Sequence, residues 1–408
     1  MSANPHACNK APSRLLLLFL ALSLMVSLIN SSVPTPLYPF YKQQLQLSSV
    51  QLTLIFGVYG VGVLLSLLTL GGLAGRLQDL RKLLVPAAAL VFCGAWLFSR
   101  GEAPWQLGAG RLIAGIGSGA MTAGVNVALV RFGPADHGKL AALLATLAMV
   151  MGLALGPLLS GAALQLDLYP MALPFWLIMG LTLVATCGVL GGWPTSVQVA
   201  NATPDAMQAK APGLLQSLKG IGMPFHLCAW SVFFSWSFAA CVFVIGPGAA
   251  EQLLGLGDRG VFGYSISAYL LIAGASQLFC QRLDARRALL SGLLSQCLAF
   301  AVLLLAFFQA SLLLAVPALI IGGYAYGAIF VGSAWLINQL AKGKGHGKLI
   351  AYFYMTVYLF NAVPVPLGLL VDATGMAPAV HGALMLFLLL GTGLLLMAYR
   401  IRFSPARL

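Results

Sequence analysis

The sequence predicts an all-α polytopic membrane protein, with twelve transmembrane helices arranged as two pseudo-symmetric six-helix halves. Three observations carry that expectation. The first is composition: 60% of the 408 residues are hydrophobic, 8% are charged, and the mean hydropathy is +0.94. Soluble domains carry roughly 25% charged residues, so this chain lacks the polar surface that water requires, and disorder is excluded by the same numbers. The second is that apolar runs bounded by charges, Pro or Gly recur twelve times. The third is that motifs of the first half return in the second.

The runs fall at about 14–33, 50–74, 83–99, 104–130, 139–165, 172–192, 224–247, 260–280, 288–308, 311–340, 348–371 and 378–399. Each approximates the ~20 residues that cross a bilayer. The connections are mostly short, which leaves no room for a sizeable soluble catalytic domain. The run after Lys10 and Arg14 has the flanks of a signal peptide. It lacks a small-x-small cleavage site, and its loss would leave an odd number of helices.

The formal net charge of +13 would suggest nucleic acid in a soluble protein. Here the placement of the charges explains it. With the N-terminus inside, only Lys42, Arg100 and Arg259 of the 22 basic residues fall in outer loops, and Arg111 falls within a span. The other eighteen are cytoplasmic, whereas the acidic residues divide evenly. That is the positive-inside pattern, which Lys and Arg alone carry. It predicts a multi-pass protein of a cytoplasmic (inner) membrane with both termini in the cytoplasm. Its partners are then the lipid bilayer and a small organic substrate, with no nucleic acid and a monomeric state.

The longest polar stretch follows the sixth run. It divides the chain into a bundle at 14–192, a cytoplasmic linker at 193–223 and a second bundle at 224–399. Asp79-Leu80-Arg81-Lys82 after the second run returns as Asp284-Ala285-Arg286-Arg287 after the eighth. His137-Gly138-Lys139-Leu140 after the fourth returns as His346-Gly347-Lys348-Leu349 after the tenth. Pro157 and Pro366 keep the offset of that second pair. A parallel repeat of six plus six helices is a transporter architecture, with the substrate near the midplane between the halves.

These features identify a resemblance. Six plus six helices, a polar central linker, a basic loop after the second run and Gly-Pro in the fifth resemble the major facilitator superfamily from about residue 14 to 399. The loop Gly75-Arg76-Leu77-Gln78-Asp79-Leu80-Arg81-Lys82 keeps the family's Gly, Asp and basic pair. It lacks the second Gly and is about two residues shorter. The resemblance implies a conformational latch at Gly75, Asp79, Arg81 and Lys82, with Arg131 as the cation that Asp79 meets. Asp284, Arg286 and Arg287 are its counterparts in the second half. The other reading of this loop is a tight turn holding positive-inside charges. Gly152-Leu153-Ala154-Leu155-Gly156-Pro157 is similar to the motif that marks antiporting members. Physically, small residues at i and i+4 allow close helix approach and Pro bends the helix. Gly152, Gly156 and Pro157 are therefore expected at a seal or pivot between the halves.

Arg111 is the one charged residue well inside a run, ~10 Å from Pro104 at 1.5 Å per residue. A buried Arg costs about 2.5–3.5 kcal/mol on insertion scales, and no Asp or Glu lies inside any run to pair with it. Two readings stand: it binds an anionic substrate group, or it snorkels to the headgroups. Arg111-x3-Gly115 also looks like the family's fourth-helix arginine motif. Gly115-Ile116-Gly117-Ser118-Gly119-Ala120 mimics a dinucleotide fingerprint, but no strand precedes it, so close helix packing is expected. Asn30, Tyr59, Asn126, Trp236, Tyr269, Tyr326, Asn338, Tyr358 and Asn361 are the candidate cavity residues, since a lipid-facing amide is costly. The Tyr content of the tenth and eleventh runs suits an amphipathic, mostly apolar ligand.

No HExxH, GxSxG or carboxylate pair appears, and the seven cysteines form no CxxC or metal pattern. No cofactor, metal or catalytic residue is expected. The functional expectation is a secondary transporter working by alternating access, with proton-coupled efflux first. An uptake symporter or a facilitated-diffusion carrier is the alternative. Cysteines placed at His137, His346 or within 193–222 should resist an impermeant thiol reagent added outside intact cells. Labelling there would overturn the orientation.

Overall fold

The computed structural model describes residues 14–134, 136, 138–194, 221–340 and 346–401. Among them every regular element is helical. Twelve helices are long and apolar enough to cross a membrane. We number them spans 1 to 12: Arg14–Ser32, Ser49–Ala74, Arg81–Arg100, Pro104–Phe132, Lys139–Gln165, Leu173–Gly192, Gly222–Val244, Arg259–Cys280, Ala285–Phe308 and Leu312–Leu340, then the composite span 11 (His346 to Thr374) and Met376–Arg400. The predicted runs match these within a few residues. His137 and nearly all of the polar stretch lie outside the described residues.

Spans 1 to 6 pack on one another, as do spans 7 to 12. Spans 1 and 7 run from the end of the molecule that holds Arg14 and Ile401, the near end, to the opposite, far end. Each is followed there by a short helix absent from the expected runs, Tyr38–Gln44 after span 1 and Gly246–Leu254 after span 7. Pro39 and Pro247 open these helices in the same register, and proline favours the first helical turn because its missing N–H is not needed there. The internal repeat therefore extends beyond the loops that reveal it in the sequence.

Span 11 departs from expectation. An uninterrupted helix was expected, but α-helix stops at Tyr358, a 3-10 turn runs Leu359–Ala362, and helix resumes at Pro364. Pro364 supplies the reason: it has no backbone N–H to give the Phe360 carbonyl, which instead accepts the Val363 N–H at 3.2 Å in a 3-10 turn. Pro157 in span 5, by contrast, lies within a continuous helix.

Glycine sets how closely the helices approach. A Cβ on Gly115 or Gly119 would strike the backbone of span 2 at Tyr59 and Val63. One on Gly117 would lie 2.9 Å from the carbonyl of Ala87 in span 3. The glycine run is thus helix packing, as expected. It lets span 4 sink between spans 2 and 3. Gly152 and Gly156 do the same against span 1, at Met25 and Ile29. The seal to the other half lies further along span 5. A Cβ on Gly161 would meet the Gly260 carbonyl of span 8 at 2.8 Å and Gly263 Cα at 3.3 Å. The Ser267 hydroxyl donates to the Ala154 carbonyl at 2.7 Å across the same seam. Gly161→Val should cost about 1–3 kcal/mol of overpacking and part spans 5 and 8. Faster alkylation of a cysteine placed at Ser267 would report it, and an unchanged rate would show that the seam is not sealed by this contact.

Candidate functional site

Arg111 is 2% exposed, so it does not snorkel. The groove that glycines open along span 4 brings it against spans 1 and 2. Its Nη1 donates to the Ser31 carbonyl at 2.7 Å. Its guanidinium carbon stands 4.8 Å from the Tyr59 ring centroid and 5.4 Å from that of Phe56. The Tyr38 hydroxyl lies beside the guanidinium, though not in the alignment of a full hydrogen bond. Desolvated cation–π contacts contribute up to about 2 kcal/mol each, and a hydrogen bond from a charged donor about 1.5–3 kcal/mol. Together they offset the ~3 kcal/mol cost of burying the charge, so Arg111 needs no carboxylate. Its Nε is buried and has no partner, which leaves one donor of the fork uncommitted.

Facing it from the second half is an aromatic cluster. Trp236 of span 7 stacks on Tyr326 of span 10 (5.9 Å, 7°), and Tyr358 and Phe360 of span 11 meet Trp236 edge-on at 6.4 and 5.4 Å. Tyr269 of span 8 closes on Tyr326 at 5.9 Å. The Tyr358 and Tyr59 phenols lie within electrostatic reach of each other across the halves. The Trp236 Nε1 and the Tyr269 hydroxyl are buried donors without partners. Apolar ring faces with a few convergent, uncommitted polar groups are what a small-molecule site requires.

Six of the ten candidate residues therefore come together: Arg111, Tyr59, Trp236, Tyr269, Tyr326 and Tyr358. Asn361 lies beside them, but its side chain fills the space in front of Gly60 of span 2 and its Nδ2 donates to the Tyr358 carbonyl at 3.1 Å. Its work is to close span 11 onto span 2. Asn30 is buried within the first bundle and donates to the Val91 carbonyl at 3.2 Å. Asn126 and Asn338 are exposed and bonded to carbonyls of their own helices, one turn back. They stand toward the near ends of spans 4 and 10. Sequence reasoning missed Tyr38, Phe56 and Phe360. Phe56 lies one turn before Gly60, on a helix whose apolar residues give no period that singles it out.

The latch residues are arranged differently from expectation. Asp79 pairs with Arg81 of its own loop, with Nη2 to Oδ2 at 2.9 Å, and also accepts the Arg81 backbone N–H at 3.0 Å. The hydrogen bonds from the Arg81 side chain hold its carboxyl below the usual range. Arg131, the expected partner, instead donates to the Leu77 and Gln78 carbonyls at 2.9 and 3.1 Å. The shortened loop turns its carboxylate back to cap span 3, and only its carbonyls face span 4. Asp284 accepts the Arg287 backbone N–H at 3.3 Å in the same manner. Arg81 lies over the Trp193 ring just beyond span 6, while Arg286 donates to the Tyr399 carbonyl near the end of span 12. A Cβ on Gly75 would meet nothing within 4 Å, so the near-end loop packs against no neighbour there.

A charged tie between the halves lies at the far end. Asp372 of span 11 accepts the Ser49 and Val50 backbone N–H groups at 2.8 and 3.0 Å, capping span 2 from the other half. The Lys42 Nζ donates to the Ser49 hydroxyl beside it at 2.6 Å. With the seam between spans 5 and 8 and Asn361 against Gly60, these contacts close the far half of the interface.

Comparison with known proteins agrees with this fold. The Major Facilitator Superfamily profile matches residues 20–363. The chain belongs to the Major Facilitator Superfamily. Among solved structures, it is similar to a bacterial homologue of the human lysosomal transporter Spinster. In that protein's inward-facing, occupied conformation the identity is 15% and the TM-score 0.75, covering 95% of this chain and 98% of the other. Its inward-facing, unoccupied conformation gives 14% and 0.74, covering 96% and 98%. A mutant of the nucleoside transporter NupG gives 11% and 0.66, covering 93% and 100%. No curated protein sequence matches the chain. Membership and architecture together assign it to membrane transport.

Asp372→Asn keeps the size of the side chain but removes an acceptor for the cap of span 2. Losing a helix cap costs about 0.5–2 kcal/mol, the lower part applying to an exposed residue such as this one. The open far end should become about two- to fivefold more populated. Spin labels on the far ends of spans 2 and 11 would measure the change, and an unaltered distance distribution would deny the contact a role in closure.

Proposed function

We propose that this transporter exports a small amphipathic organic compound from the cytoplasm by proton antiport, working as a monomer in a cytoplasmic membrane with its near end inside. The observation that carries this reading is the pairing of the buried Arg111, with its uncommitted Nε, against the Trp236, Tyr326 and Tyr358 rings of the other half. A compound with a planar or apolar body and one anionic or strongly accepting group suits both walls at once. Alternating access follows if the halves rock about such a compound, closing the near end as the far end opens. Arginine remains protonated at physiological pH, so Arg111 binds and does not carry the proton. Asp372 supports alternation: its carboxylate caps span 2 from the other half at the far end, and losing that cap would favour far-end opening. The Gly152–Pro157 segment, which resembles the antiporter motif, adds to the case for export.

A second reading is an uptake carrier or facilitated diffusion. It is favoured by one observation: no Asp or Glu among the described residues stands in the middle of a span, whereas ionisable groups there are the usual proton relays.

Inverted membrane vesicles with an imposed pH gradient and a panel of amphipathic anions and neutral compounds distinguish these readings. Arg111→Ala should abolish transport. Arg111→Lys, which keeps the charge but loses the planar fork, should lower it about tenfold or more. Wild-type rates in an inserted Arg111→Ala protein would make the residue structural. Transport indifferent to collapse of the gradient would leave the facilitated carrier.

A further inference from the structure

The second bundle encloses a cavity of about 330 Å³ at its far end, beneath the short helix Gly246–Leu254. Spans 7, 8, 9, 10 and 12 supply most of the walls, which are almost wholly apolar. Of the polar side chains along it, the Ser265 hydroxyl is committed to the Val261 carbonyl of its own helix at 2.9 Å. The Tyr269 hydroxyl is buried without a partner.

The internal repeat provides a comparison within the molecule. Aligned on Pro39 and Pro247, Tyr38 corresponds to Gly246 and Tyr41 to Ala249. Aligned on Asp79 and Asp284, Phe98 corresponds to Leu303. In the first half those three rings are fully or almost fully buried. Tyr41 meets Phe98 edge-on at 5.7 Å and Phe98 stacks on Phe175 at 5.3 Å, so aromatic side chains fill the space. In the second half their counterparts Gly246, Ala249 and Leu303 all line the cavity. Two phenols and a benzyl group have been replaced by a hydrogen, a methyl and an isobutyl group. The cavity is therefore a difference between otherwise repeated halves, and not a consequence of the fold.

Its chemistry selects the occupant. Water needs two to four polar partners, and these walls offer one free hydroxyl. An unfilled apolar space of this size is strongly destabilising in a packed interior. The wall is breached at the start of span 10, where Leu312 and Val316 line the cavity yet stay 43% and 58% exposed. Those residues lie within the first two turns of a membrane-spanning helix, at the edge of the ~30 Å hydrocarbon core. We propose that this cavity is a binding site for one acyl chain of a bilayer lipid in the far-end leaflet, with the Tyr269 hydroxyl near its inner limit. The site meets the central cluster at Tyr269 and is independent of the direction of transport.

The test uses the full-length protein in phosphatidylcholine nanodiscs doped with phosphatidylcholine that carries a diazirine near the end of one acyl chain. After photolysis, peptide mass spectrometry compares labelling of the cavity walls at Ile266 and Leu319 with labelling of Leu389, a residue 71% exposed on span 12. Ala249→Phe restores a ring where the first half has Tyr41. It should reduce wall labelling about tenfold or more and leave Leu389 unchanged. Should that variant fail to insert, Gly322→Leu fills the same space from span 10. Its Cβ would sit 3.4 Å from the Tyr269 ring and 3.7 Å from Ala299 Cβ, ordinary contacts. Wall labelling that is absent in the wild type, or unaffected by the filling substitutions, overturns the proposal. Labelling by a free diazirine fatty acid but not by the phospholipid overturns the bilayer lipid as its source.

Discussion

Helices in hydrocarbon gain little from hiding apolar surface, because lipid tails are as apolar as leucine, so their association rests on close backbone packing and interhelical hydrogen bonds. This constraint runs through the whole molecule. Span 4 reaches its neighbours only because Gly115, Gly117 and Gly119 present no side chain, and that depth carries Arg111 away from any route to the headgroups. Span 5 uses glycine twice, with Gly152 and Gly156 inside its own bundle and Gly161 across the seam to span 8. The same residue type thus builds a permanent contact and a separable one on one helix, about one to two turns apart.

Burying a permanent charge without a counter-ion has a consequence for recognition. A carboxylate beside Arg111 would have neutralised it, and a substrate anion would then have to displace an ion pair. Ring faces and a main-chain carbonyl stabilise the guanidinium while leaving its charge uncompensated. The Nε donor is uncommitted, and the opposite wall supplies ring surface together with the indole N–H of Trp236. On the proposed function, affinity for an anionic group and tolerance of an apolar body would come from different halves. A compound that touches both would then be bound best when the halves are close.

Much of this was legible in the sequence, and the reasons for the exceptions are physical. The spans and the glycine packing of span 4 follow from hydropathy and small-residue spacing, whereas the cost of a charge in lipid left Arg111 open between burial and snorkelling, and the structure buries it. The break in span 11 at Pro364 was not read, because the run 348–371 is apolar on both sides of it. Asn30, Asn126 and Asn338 were read as cavity residues because an amide dislikes lipid. Each satisfies its Nδ2 on a carbonyl, Asn30 across two helices and the other two within their own, and none of the three joins the central cluster. The pairing of Asp79 with Arg131 was carried over from a longer loop, and a shorter one turns the carboxylate the other way. The short helices at the far end and the cross-half cap by Asp372 involve partners more than two hundred or three hundred residues apart, or a few residues between long apolar runs. Periodicity is silent on both.

The two ends of the molecule divide the work of switching unequally. At the near end the ionised groups are spent locally: Asp79 on Arg81, Arg131 on the Leu77 and Gln78 carbonyls, Arg286 on the Tyr399 carbonyl. Each tie lies within one bundle, so it holds its loop in shape through either conformation and opposes no movement between halves. At the far end the Asp372 carboxylate bridges the bundles, and its partners are backbone N–H groups at a helix N-terminus, where the macrodipole also favours a negative charge. Those donors, with Lys42 on the Ser49 hydroxyl beside them, favour the charged carboxylate, so the tie rests on a charge that persists at neutral pH and on a geometry that the closed far end provides. The central arginine keeps its charge likewise. Both ends of this arrangement therefore do without a carboxylate at the centre of the membrane, where ionising one would be costly.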